Sequence, residues 1–189
     1  LKLWTEFNCI GSVIAATGFG KTKLATMAVD YVFKMVVQKL QREPRGIILV
    51  PTVQLQSQTA EEFVKWGLGQ YLEFIDIVCY ASAHNIKGQN YDIVIGDEIH
   101  LGLTELKREF FELNNYKTLM CLTATPPEDK DYHDILFELA PKVYGLGLDD
   151  AVEKGLVSPY TIYCIPVEFT GVEAKAYSNA QKSFVYNKM

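Results

Sequence analysis

Eight consecutive residues, Ala15-Ala16-Thr17-Gly18-Phe19-Gly20-Lys21-Thr22, combine the residue types that can hold a polyphosphate. The apolar run from Gly11 to Ala16 reads as a buried strand, and a helical pattern begins at Lys21. Between them, Gly18 and Gly20 let the backbone turn tightly and aim successive N–H groups at phosphate oxygens. The Lys21 ammonium can reach the terminal phosphates and the Thr22 hydroxyl can hold Mg²⁺, while the helix N-terminus adds partial positive charge. Residues Thr17 to Thr22 are therefore the candidate nucleotide-binding set. Glycine usually opens this pattern, where the chain has Ala15.

A second constellation follows the apolar strand Tyr91 to Gly96. Asp97-Glu98-Ile99-His100 stands at its carboxyl end, where ligands bind in open α/β sheets. An Asp there can hold Mg²⁺, and the adjoining Glu98 can orient or deprotonate an attacking water. Alone, two neighbouring acids read equally well as a solvated turn. Downstream of a phosphate loop they come in the order one shared site requires.

The elements that must position these residues alternate between apolar runs and helix-period segments, the pattern of a parallel sheet covered on both faces. Leu24, Met27, Tyr31, Val32 and Met35 recur at helical spacing after the loop. Ile47 to Val50 reads as a strand stopped by Pro51, and a helix carries Leu55, Phe63 and Trp66. Strands follow at Phe74–Tyr80 and Tyr91–Gly96. Leu103, Leu106, Phe110 and Leu113 form one stripe of the next helix, and the strand Thr118–Leu122 runs into Thr123-Ala124-Thr125-Pro126. Past Pro141 the pattern loosens into a short amphipathic piece over 149–154, an apolar run over 160–167 and a helical stretch over 172–189. The expected division is a nucleotide-binding lobe over residues 1–168 and a connecting segment over 169–189.

Composition sets the outer limits. The 189 residues, 49% hydrophobic and 22% charged, suit one globular domain. A net charge of −5 argues against coating nucleic acid by charge alone. Cys9, Cys79, Cys121 and Cys164 are scattered, which points to reduced, mostly buried thiols and a cytoplasmic (or nucleoid or nuclear) setting rather than secretion. No apolar stretch reaches membrane-span length.

These residues resemble the first RecA-like lobe of superfamily-two helicases, an α/β P-loop NTPase fold with a mostly parallel central sheet. Ala15 to Thr22 is similar to their motif I, where alanine is common at the first position. Asp97-Glu98-Ile99-His100 matches their DExH box, Thr123-Ala124-Thr125-Pro126 resembles motif III, and Val50-Pro51-Thr52 with Leu55 resembles motif Ia. Tyr80-Ala81-Ser82-Ala83 sits where the family often has a Thr-Tyr-x-Ser segment touching the strand, with Cys79 in place of the threonine. The passage from Tyr144 through Glu153-Lys154-Gly155-Leu156-Val157 to Tyr160 resembles DNA-translocating members: excision-repair, restriction-motor and phage recombination helicases.

The resemblance implies an ATP-dependent helicase with ATP and Mg²⁺ as cofactors. Gly18, Gly20 and Lys21 would cradle phosphates, Thr22 and Asp97 would organise Mg²⁺, and Glu98 would activate water. His100, Thr123 and Thr125 would couple nucleotide state to lobe closure, and Pro51, Thr52 and Ser82 would face the nucleic-acid backbone, DNA in preference to RNA. The segment that reads adenine would precede Leu1. A second RecA-like lobe, bearing an arginine finger, would follow Met189. Plainer readings stand beside these. Thr123 to Pro126 is also a strand-ending turn, His100 a structural histidine, Pro51-Thr52 a helix cap, the tryptophans packing residues, and His84 and His133 surface residues. An RNA helicase lobe, a nucleotide-binding regulatory module and a small kinase are the competing functions.

Overall fold

A computed structural model describes residues 1–166 and 168–186, with the side chains of residues 182–186 outside the description. The chain divides into two compact units, Leu1–Ser158 and Pro159–Met189.

In the first unit, a short helix α1 (Lys2–Glu6) precedes strand β1 (Ile10–Ala15), helix α2 (Lys21–Leu40) and strand β2 (Gly46–Val50). Helix α3 (Val53–Lys65), strand β3 (Ile75–Cys79) and the one-turn helix α4 (Tyr80–Ala83) follow. Strand β4 (Asn90–Asp97), helix α5 (Glu105–Leu113), strand β5 (Asn115–Thr123), helix α6 (Lys130–Leu139), strand β6 (Lys142–Leu146) and helix α7 (Leu148–Glu153) complete it. The six strands form one sheet in the order β3-β2-β4-β5-β1-β6, and all its pairings are parallel.

Side chains of successive strand residues point to opposite faces, and the core divides accordingly. Val13, Ile48, Ile93, Ile95 and Met120 pack with Val29, Phe33 and Phe63 of α2 and α3 on one face. Ile47, Leu49, Val94, Leu119 and Cys121 pack with Phe110, Phe111 and Leu136 of α5 and α6 on the other. With helices on both faces, β2 is buried at all five positions, as a continuous apolar strand must be. Trp4 is buried and donates its indole N–H to the Leu119 carbonyl at 2.9 Å.

Several local readings need correction. Helix α5 starts only at Glu105, so Leu103 lies in the preceding loop and the expected stripe loses its register. Leu106 and Leu113 are exposed, while Phe110 and Phe111 face the core. Trp66 is exposed, with the Lys23 ammonium 4.0 Å over its ring, so it is not a core residue. Strand β3 is shorter than expected, because residues 69–74 form a 3₁₀ turn and Tyr80 already opens α4. His84 is half-buried rather than at the surface. Helix α6 lies just before, and strand β6 within, the stretch where the sequence pattern loosens; β6 is an edge strand whose mixed burial gives no clear period. Three cysteines are buried and Cys164 is exposed.

In the second unit, residues 160–166 form neither helix nor strand and are exposed. Val167, the last residue of that apolar run, lies outside the described residues. Helix α8 spans Gly171–Tyr186; residues 187–189 of the expected helical stretch also lie outside them.

Candidate nucleotide site

Parallel register sets the site. β4, β5 and β1 are neighbours, with Asp97 level with Leu122 and Ile14 level with Thr123. The carboxyl ends of three adjacent strands thus present the phosphate loop, the acid pair and the Thr123 segment on one edge. Strands about 4.8 Å apart put β4 and β1 roughly 10 Å from each other, a gap that a lysine and a glutamate reaching from the two sides can close together.

Lys21 and Glu98 close it. Lys21, the first residue of α2, is buried; its ammonium donates to the Ala15 carbonyl at 3.1 Å and lies 3.5 Å from Glu98 Oε1. Gly18 and Gly20 adopt φ of +86° and +92°, a region costly for any residue with a Cβ. A Cβ at either would meet nothing within 4 Å, so backbone conformation, not crowding, requires glycine there. Gly20 caps α2 without a side-chain bond, and a helix leaves the N–H groups of its first turn free to bind an anion. Thr17 is exposed, Phe19 and Thr22 are half-buried beside it.

Glu98 itself has φ +47°, left-handed backbone on a non-glycine residue. The turn brings its carboxylate back over the sheet edge, where Oε2 accepts from the Thr123 hydroxyl at 3.3 Å and from the Ala124 N–H at 3.4 Å. His100 Nδ1 is 2.8 Å from Thr123 Oγ1. The Thr123 oxygen also accepts from the Thr125 N–H at 3.3 Å and lies 2.8 Å from the Thr125 carbonyl. A hydroxyl has one proton to donate, and both Glu98 and the Thr125 carbonyl are pure acceptors. Nδ1 is accordingly assigned as the protonated, donating nitrogen of His100. Asp97 is half-buried; burial and then the Glu98 charge push its carboxyl up to about 6, with Lys21 opposing.

The residues fit a magnesium–triphosphate ligand: an open glycine turn, a lysine at its end, and a carboxylate pair within that lysine's reach. Other features of the site were not legible. Beside the loop lies a cavity of about 410 Å³ lined by Leu3, Trp4, Phe19, Lys23, Met27 and Tyr144, with the Phe19 and Tyr144 rings stacked at 5.8 Å. Tyr144 lies on β6, whose pairing with β1 no local pattern announces.

The proposed strand-facing residues occupy the same sheet edge at β2 and β3, where Val50 is level with Cys79. Thr52 and Ser82 are exposed and Pro51 is half-buried. Thr52 Oγ1 also accepts from the Leu55 N–H at 3.3 Å, so it N-caps α3 whatever else it does.

Residues 3–90 match the family model described as DEAD/DEAH box helicase. The fold is that of a RecA-like lobe, an all-parallel sheet covered by helices. The fold is similar to that of the Pyrococcus furiosus Hef helicase domain, with 18% identity and a TM-score of 0.54 over 72% of this chain and 34% of that one. A nuclease-deletion mutant of the Type ISP restriction-modification enzyme LlaGI, in complex with a DNA substrate mimic, aligns at 16% identity and 0.58 over 98% of this chain and 21% of that one. The Sulfolobus solfataricus SWI2/SNF2 ATPase core in complex with dsDNA gives 22% and 0.52 over 74% and 33%. At these identities the likeness is one of fold, and the chain spans about a third or less of each. No curated protein sequence matches the chain. No helix among the described residues is long and apolar enough to cross a membrane.

Proposed function

We propose that this RecA-like lobe is the ATP-binding half of an ATP-dependent DNA translocase or helicase, working with a second RecA-like lobe of the same polypeptide. The observation that carries the reading is the 3.5 Å approach of Lys21 to Glu98 across the ends of β1 and β4. It supports a common polyphosphate site for two segments far apart in sequence. In this site Gly18, Gly20 and the first-turn amides of α2 bind phosphate oxygens, and Lys21 leaves Glu98 to neutralise terminal-phosphate charge. Thr22 and Asp97 hold Mg²⁺, which when bound draws charge off the phosphates. Glu98 orients and deprotonates the attacking water.

Thr123, bonded to both Glu98 and His100, ties that base to the β5 end and thereby to the surface expected to meet a second lobe. The cavity beside Phe19 and Tyr144 is apolar and of a size to seat a nucleobase. Residues 169–189 would lead toward the second lobe, and the compartment would be the one holding the nucleic acid. DNA is favoured over RNA because two of the similar structures hold DNA or its mimic.

The polypeptide carrying both lobes should hydrolyse ATP faster when duplex DNA is added. Stimulation by RNA alone would remove the DNA assignment. If the arginine finger lies on the second lobe, this lobe alone should turn over about 10³- to 10⁵-fold more slowly.

A further inference from the structure

Among the described residues three buried side-chain polar atoms have no hydrogen-bond partner: Ser12 Oγ, the Tyr80 hydroxyl and His84 Nδ1. Two of the three fall within five consecutive residues, the helix α4 and its C-cap. That segment also carries the exposed Ser82.

Tyr80 is almost wholly buried, and its ring is wedged against the loop bearing the acid pair. A Cβ on Gly102 would lie 2.3 Å from Tyr80 Cε1, and one on Gly96 would lie 3.0 Å from the Tyr80 hydroxyl. These glycines bracket residues 97–101, so the ring enters only because both ends of the acid loop lack side chains. Neither glycine has positive φ, so close packing, against Tyr80 at Gly102 and against both Ile99 and Tyr80 at Gly96, explains them rather than backbone freedom. Burial first, then neighbouring Cys121, Asp97 and Glu98, push the hydroxyl well above its usual range, so it keeps its proton. An unpartnered buried hydroxyl is destabilising. Phenylalanine would fill the same space without that cost, so packing accounts for the ring and not for the oxygen.

We propose that Tyr80 is a positioning residue that transmits engagement of the strand-facing segment to the acid loop. When nucleic acid meets Ser82, α4 shifts, and the Tyr80 hydroxyl donates a hydrogen bond to the Asp97 carboxylate. The loop between Gly96 and Gly102 then turns Glu98 from Lys21 toward water. This rests on the reading of the lobe as a nucleic-acid-dependent ATPase.

The test uses the polypeptide carrying both lobes, random-sequence duplex DNA as the probe, and the variant Tyr80→Phe. The ratio of DNA-stimulated to unstimulated turnover should fall about tenfold, with DNA affinity changed by less than about twofold. Gly102→Ala, whose methyl must displace the ring, should lower the same ratio. A parental ratio in Tyr80→Phe overturns the proposal, as does a ratio that falls only in step with weakened DNA binding. A parent unstimulated by DNA or RNA refutes the functional reading itself, whereas a stimulated parent with an unaffected Tyr80→Phe variant refutes only the role of Tyr80.

Discussion

Replacing Glu98 by glutamine should tighten ATP binding while stopping turnover, and the size of the first effect follows from the pairing with Lys21. At 3.5 Å, an effective dielectric constant of about 20 gives an attraction of about 5 kcal/mol. Part of that is lost to solvent, since the Glu98 side chain retains 28% exposure. A net of about 1–2 kcal/mol is the reasonable remainder. A phosphate that recruits Lys21 must displace this carboxylate and also approach its negative charge. Glutamine keeps the shape and can still accept from Thr123 and Ala124, but it removes both penalties. ATP affinity should therefore rise roughly five- to thirtyfold. Loss of the base should lower turnover by about 10²- to 10⁴-fold. Calorimetric titration of ATP·Mg²⁺ into the two-lobed protein measures the first effect, and phosphate release the second. Weaker ATP binding by Glu98→Gln would refute the competition for Lys21. Near-normal turnover would show that another group prepares the water.

Lys21→Ala should weaken ATP·Mg²⁺ binding by about 2–5 kcal/mol, roughly thirtyfold to several-thousandfold, with the circular dichroism spectrum of the fold retained; unchanged affinity would contradict the phosphate-loop assignment. Thr123→Val keeps the shape but strips a buried hydroxyl from Glu98, His100 and the Thr125 N–H, so the urea midpoint should fall by an amount equivalent to about 1–3 kcal/mol. An unchanged midpoint would show that this bridge contributes nothing to stability. For Asp97, the folded carboxyl at about 6 against an ordinary 3.8 means the native state binds the extra proton between those values. Its contribution is fully present below about pH 4, falls as pH rises through about 6 and is flat above, a change of about 2–3 kcal/mol. Urea unfolding across that window should show the slope in the parent and not in Asp97→Asn; identical slopes would refute it.

What could be read from sequence was what local chemistry fixes. The glycine turn before Lys21 is specified by two positive-φ positions and the helix they open, all within a few residues. The acid pair is specified by an apolar strand and its end. The contacts that make a site of them depend on lateral strand order, and parallel strands buried on both faces all read alike. Nothing in Ile47–Val50 or Ile93–Ile95 says that β5 separates β4 from β1, yet that order sets Thr123 beside Glu98. For the same reason Thr123 is a strand-ending turn when read locally and a shared hydrogen-bond centre when folded. Tyr80 escaped for a different reason: its meaning lies in Gly96 and Gly102, whose value is the space they leave.

The left-handed backbone of Glu98 links these observations. Strand alternation, continued past Asp97, would carry the next side chain to the opposite face and away from Lys21. A φ of +47° instead folds it back toward the β1 and β5 ends, at about 1–3 kcal/mol of backbone strain for a residue with a Cβ. Three features hold that conformation: the Lys21 ion pair, the bonds from Thr123 and Ala124, and the Tyr80 ring between the bracketing glycines. Two of these are contacts of the carboxylate itself: Lys21 must leave Oε1 for the group to act on water, while Thr123 and Ala124 can keep Oε2. The Tyr80 wedge restrains the loop without occupying the carboxylate, as do the Glu98 N–H bond to Asp97 Oδ1 and the Leu101 N–H bond to the Glu98 carbonyl, so these contacts can hold the base in place while the base is working.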